Sequence, residues 1–123
     1  MPAMPEQSPR LTVSIEPGNI TVVQLADRKI LDEISITQIG EQLKSLVAQS
    51  KPPRVVLDFS NVAHMSSSAL GMLISLNKRI REESGQLRLC CIQPTIHEVF
   101  VITRLTEIFE IRRTREEALT SMR

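Results

Sequence analysis

Asp58, His64 and Ser67 fall within ten residues of one another, and they are the residue types of a nucleophilic triad. In a triad the imidazole takes the serine proton and a carboxylate orients the imidazole. On an α/β scaffold the nucleophile sits at a strand-to-helix elbow with glycines two residues before and after it. Met65 and Ala69 occupy those two places, and His64 precedes Ser67 by only three residues, so the spacing argues against hydrolysis. Phosphate-binding loops fare no better, because the four glycines are scattered and match neither GxxxxGK[ST] nor GxGxxG. His64, His97, Cys90 and Cys91 show no recognised ligand spacing. Adjacent cysteines on a strand point to opposite faces, so Cys90 and Cys91 are expected to suit neither a disulfide nor a shared metal site. The chain is therefore read as non-enzymatic, with no metal and no cofactor.

Ser66, Ser67 and Ser68 offer a different chemistry. A serine hydroxyl at a helix start accepts from the orphan amides of the first turn. A phosphate added there would also meet the positive end of the helix dipole. Three serines in a row exceed what capping requires, so the loop is the place to look for regulation by phosphorylation.

The elements around that loop can be read from periodicity. Val55-Val56-Leu57 is an apolar run ending at Asp58-Phe59, as expected of a buried strand. After the serines comes a helix in which Leu70, Leu73, Ile74 and Ile80 are expected to share one face, with Met72 and Leu76 on another. Met65, Met72 and Leu76 admit two readings, an exposed contact patch or plain core. Ser84-Gly85 stops the helix as a left-handed cap would. Upstream, Leu11–Glu16 and Ile20–Leu25 form a hairpin about Pro17-Gly18-Asn19, and Ile30-Leu31 is expected to extend the sheet briefly. Ser35 and Gln38 have the spacing of a capping box for a helix carrying Ile36, Ile39, Leu43, Leu46 and Val47. Pro52-Pro53 ends it. Downstream come a strand over Leu87–Ile92, a short helix with Ile96, Val99, Phe100 and Ile102, and a strand over Glu107–Ile111. A last helix over Thr114–Met122 is capped by Thr114 and Glu117. Alternating strands and helices after an opening hairpin indicate an α/β sheet, parallel in its later part.

Composition narrows the function classes. With 123 residues, 41% of them hydrophobic, the chain suits one domain with one core. A net charge of +1 gives no broad basic surface for direct nucleic-acid binding, and three phenylalanines give no base-stacking platform. No apolar run approaches the length of a membrane span, so no membrane insertion is expected. Residues 1–10 are rich in proline and polar groups, read as a disordered tail, and have no signal-peptide pattern. The expected setting is the cytoplasm.

The segment VVLDFSNVAHMSSSALGMLISLNKRI resembles the signature of the STAS domain, in particular of bacterial anti-sigma factor antagonists. The family pattern is an apolar strand ending in Asp, a loop, then Met-Asp-Ser-Ser-Gly-Leu-Gly opening a helix. Here the motif reads Met65-Ser66-Ser67-Ser68-Ala69-Leu70-Gly71. The likeness runs from Leu11 to Met122 and includes Ile30-Leu31-Asp32 and Cys91-Ile92-Gln93-Pro94. It implies a single STAS-like α/β domain over 11–122, with a mixed four- to five-stranded sheet packed by about four helices. It also implies partner switching. The unphosphorylated antagonist binds an anti-sigma factor that is a serine kinase; phosphorylation releases it, and a PP2C-type phosphatase resets it. By the motif the phosphoacceptor is Ser67, with Ser66 and Ser68 as rivals. Asp32, Asp58, Met65, Ser66, Ser68, Ala69 and Met72 would form the binding surface. The chain departs from the pattern at Ser66, usually Asp, at Ala69, usually Gly, and at Lys29, often Gly. Ala69 would thus place a methyl group on the contact surface. The alternative is a STAS module that is not phosphorylated and serves as scaffold or subunit of a larger complex. Monomer or dimer is left open.

Overall fold

The computed structural model describes residues 11–122, so the expected tail over 1–10 lies outside the described residues. The strands are β1 (Leu11–Glu16), β2 (Ile20–Leu25), β3 (Lys29–Ile30), β4 (Arg54–Asp58), β5 (His64–Met65), β6 (Gln86–Cys90) and β7 (Glu110–Arg112). The helices are α1 (Glu33–Ala48), α2 (Ser67–Glu82), α3 (Pro94–Ile102) and α4 (Arg115–Thr120), with a 3-10 turn at Leu105–Glu107. Five strands form one sheet in the order β1-β2-β4-β6-β7. The β1–β2 hairpin is antiparallel and the remaining pairings are parallel. This is the mixed sheet with four helices that the sequence implies.

β4 lies at the centre and is covered on both sides, which explains its unbroken apolar run. Its residues alternate between two cores. Val55 and Leu57 join Val23, Leu25, Leu87 and Leu89 in the larger one, roofed by α1 and α2 through Ile39, Leu43, Leu73 and Ile80. Val56 faces the other way, into a smaller core with Ile20, Val22, Cys90, Ala118, Leu119 and Met122 beneath α4.

Four local expectations are corrected. Ile30-Leu31 does not extend the main sheet, because β3 pairs with β5 in a separate two-stranded ribbon. The α1 cap is Asp32, whose carboxylate accepts from the Ser35 amide at 2.9 Å, and Ser35 is buried inside the helix. On α2 the buried stripe is Ala69, Leu70, Leu73, Leu76, Asn77 and Ile80, so Leu76 belongs to the core and Ile74 is exposed. The last strand is shorter and later than expected, since a 3-10 turn takes Leu105–Glu107.

The α2 C-terminus shows why Ser84 and Gly85 stand there. Ser84 takes the left-handed conformation at φ 60°. The Gly85 amide donates to the Ile80 carbonyl and the Ser84 amide to that of Arg81, the paired bonds of a Schellman cap. Gly85 itself is needed for space, as a Cβ there would lie 2.3 Å from the Pro53 carbonyl oxygen.

Candidate functional site

The serine loop is held by backbone bonds on both sides. The Ala63 and His64 amides donate to the Arg28 carbonyl at 2.8 and 3.2 Å. Parallel pairing sets Lys29 beside His64 and Ile30 beside Met65. The Ser66 amide then donates to the Ile30 carbonyl at 3.1 Å. Both α1 and α2 start directly after this ribbon, so their N-termini emerge side by side. A side-chain bond joins them, from the Ser68 hydroxyl to Glu33 Oε2 at 3.2 Å.

The three serines are not equivalent. Ser66 is half-buried and is the N-cap, its hydroxyl accepting from the Ala69 amide at 3.2 Å. Ser68 is exposed and engaged with Glu33. Ser67 is exposed, is the first residue of α2, and makes no side-chain hydrogen bond among the described residues. Ser67 thus opens α2 beside the start of α1, and each helix N-terminus carries roughly half a positive charge.

The other expected contact residues separate into two groups. Asp32 is exposed at the head of α1. Met65 and Met72 are half-buried and pack on the larger core. Met72 also lines a cleft of about 290 Å³ between α1 and α2, with Ile36, Gly40, Glu41, Lys44 and Ser75. Gly40 permits that approach, since a Cβ there would stand 3.2 Å from Met72 Cγ. Ala69, in contrast, is fully buried, so its methyl group fills core and is not on a contact surface. Asp58 is likewise 4% exposed and is not at the surface of the serine loop.

Strand alternation explains Asp58. Two residues after Val56, it faces the α4 side, whereas the serines open a helix on the opposite side. Its Oδ1 accepts from the Ser60 amide at 2.8 Å, and its Oδ2 from Arg115 Nε and Nη2 at 3.1 and 2.8 Å. Burial works to raise the Asp58 pKa, but the Ser60 bonds and the Arg115 guanidinium outweigh it and hold the carboxyl below its ordinary value. His64 is exposed. With Asp58 committed to Ser60 and Arg115, the Asp58–His64–Ser67 triad is not assembled.

Two residues had no signal in the sequence reading. Glu33 becomes visible once Asp32 is recognised as the α1 cap, since it then falls in the first turn. Arg115 lies 57 residues from Asp58, and no local pattern links them. The cysteines also depart from expectation. Cys91 has a φ of 60° and leaves the strand, so both cysteines pack against the smaller core and do not point to opposite faces.

A family model for the STAS domain matches residues 13–118. The chain belongs to the STAS domain family. Among named relatives, the anti-sigma F factor antagonist of Paenibacillus polymyxa is 24% identical over 103 residues, covering 84% of this chain and 86% of the relative. A Bordetella bronchiseptica protein named as a candidate anti-sigma factor antagonist, BtrV, is 29% identical over 94 residues, covering 76% of this chain and 80% of its own. The solved anti-sigma factor antagonist STAS domain protein of Planctomyces limnophilus superimposes with a TM-score of 0.82 at 27% identity, covering 91% of this chain and 97% of that one. The STAS fold is shared with SpoIIAA of Bacillus in its phosphorylated form, with a TM-score of 0.68 at 19% identity, covering 92% of this chain and 99% of that one. No helix among the described residues of this STAS domain is long and apolar enough to cross a membrane.

Proposed function

We propose that this STAS domain is an anti-sigma factor antagonist switched by phosphorylation of Ser67. In the unphosphorylated state it binds an anti-sigma factor that is a serine kinase. Phosphorylation releases it, and a PP2C-type phosphatase restores binding. The observation that carries this reading is the state of the three hydroxyls. Ser66 and Ser68 are engaged in the cap and with Glu33, while the Ser67 hydroxyl is exposed and free of side-chain bonds among the described residues. The names of the relatives support the same reading.

The physics of the switch is local. Phosphorylation adds about −1.5 to −2 charge at one hydroxyl. In the free protein the adjoining helix N-termini offset part of that charge, and water solvates the rest. A partner packed on the same loop must strip that water away. The Asp32 and Glu33 side chains at the head of α1 add negative charge close by and deepen the penalty. A loss of about 3 kcal/mol weakens binding more than a hundredfold. No refolding is required.

The test compares Ser67→Asp and Ser67→Ala in binding to the host's anti-sigma kinase, with phosphopeptide mass spectrometry after incubation with that kinase and ATP. Ser67→Asp is expected to lose at least a hundredfold in affinity and Ser67→Ala to bind as wild type, with phosphate found on Ser67. Equal binding by the two variants would remove the switch, and phosphate on Ser66 or Ser68 would move the acceptor.

A further inference from the structure

Cys90 ends β6 and, like Val56 on the neighbouring strand, faces α4. Cys91 follows in the left-handed region, at φ 60°, a conformation that a residue with a side chain seldom adopts. That turn folds its side chain back beside Cys90. The two sulfurs and an Asp58 carboxylate oxygen consequently lie within 4.8 Å of one another. Cys90 is buried and Cys91 is half-buried, so the cluster opens to solvent on the Cys91 side. The phosphorylation switch uses none of these three residues.

We propose that Cys90, Cys91 and Asp58 form a binding site for a single thiophilic divalent cation of the zinc or cadmium type. Zinc binds thiolate sulfur at about 2.3 Å and carboxylate oxygen at about 2.0–2.2 Å, so two sulfurs on one tetrahedral ion stand about 3.8 Å apart. The ligand atoms of the cluster, all within 4.8 Å of one another, lie within about 1 Å of that spacing. Its outer partners are in place, since the Ser60 amide and the Arg115 guanidinium fix the Asp58 carboxylate from behind. Charge balances as well. On binding, two S–H bonds break, two metal–sulfur bonds form and two protons leave for solvent. The Asp58–Arg115 pair is neutral, and so are two thiolates with a divalent ion, so the buried cluster carries no net charge before or after. A disulfide suits the pair poorly. Adjacent Cα atoms are about 3.8 Å apart across a trans peptide, whereas unstrained disulfides need roughly 4.4–6.8 Å.

The test is a cadmium titration of the full chain, metal-free and kept reduced without thiols. It follows the ultraviolet sulfur-to-cadmium charge-transfer band and the protons released into a weak buffer. We expect saturation at a single ion per chain, release of two protons per ion, a rise in thermal midpoint, and competition by zinc in excess. Cys91→Ser should abolish the stoichiometric band while circular dichroism shows the fold retained. Asp58→Asn should weaken binding at least about tenfold. A missing band, a band that climbs past one equivalent, or a band that survives in folded Cys91→Ser would overturn the site. Cys90 lies deeper, so if Cys90→Ser does not fold, the wild-type stoichiometry and Cys91→Ser decide the matter.

Discussion

Two corners of this STAS domain begin at the end of the same strand and are built in opposite ways. On the α4 side, Asp58 is buried and every oxygen of its carboxylate is engaged, by Ser60 and by Arg115. On the other side, the chain runs through the buried Phe59 and Val62 to serines that reach solvent, one of which has a hydroxyl that bonds to no side chain among the described residues. A buried polar group must be paired, because leaving it unpaired costs its full desolvation. An exposed one has water as a partner and can change state at little cost to the fold. The first corner therefore fixes the end of the central strand, and the second can carry a reversible charge without moving it.

The largest effect on stability is expected where that contrast is broken at the buried corner. Asp58→Ala removes the acceptor of the Ser60 amide and the partner of Arg115. We expect a loss of about 2 kcal/mol, from the space emptied where Asp58 was buried and from the lost bond to the Ser60 amide. The ion pair itself adds little, because the Arg115 side chain is 37% exposed and rehydrates. Urea unfolding of the two proteins gives the difference, and partner affinity of the folded variant should be unchanged. A variant of wild-type stability with weakened affinity would instead return Asp58 to the binding surface.

At the serine loop the effects shrink and become unequal. Ser66→Ala removes the α2 cap and should cost about 1 kcal/mol in the same assay. A neutral result there would mean that another group caps the helix in solution, and the three hydroxyls would then lose the distinction that separates them.

How much of this could be read in the sequence depends on whether the cause was local. β4 was legible because a strand buried on both faces must be apolar throughout, and Val55-Val56-Leu57 is. The serine loop was legible because a helix start needs acceptors for its free amides. The α1 cap was misassigned because Asp32 and Ser35 are both good caps, and only the fold shows Ser35 buried. On α2, the buried stripe passes through Asn77, a polar residue 7% exposed, and this disguised its direction and exchanged the roles of Ile74 and Leu76. Ala69 was expected at the surface only because it stands in the motif that the resemblance makes a contact surface, yet the first turn already faces the core at that position. Arg115 and the turn at Cys91 had no local cause at all. One is set by where α4 docks, the other by a backbone conformation that cysteine does not announce.

The smallest expected effect is the most discriminating for the loop. Ser67→Ala deletes a hydroxyl that caps nothing and bonds to no side chain among the described residues, so stability should stay within about 0.5 kcal/mol of wild type. Ser68→Ala deletes only an exposed bond to Glu33 and should behave alike. Stability cannot separate these two variants, but phosphate incorporation can. Ser67→Ala should abolish it, whereas Ser68→Ala should leave it intact, because removing the Glu33 bond does not touch the Ser67 hydroxyl. If Ser68→Ala were the variant that blocked phosphate transfer while both proteins unfolded at the same urea concentration, the free hydroxyl would not be the acceptor. Engagement with Glu33 would then mark the reactive serine and not exclude it.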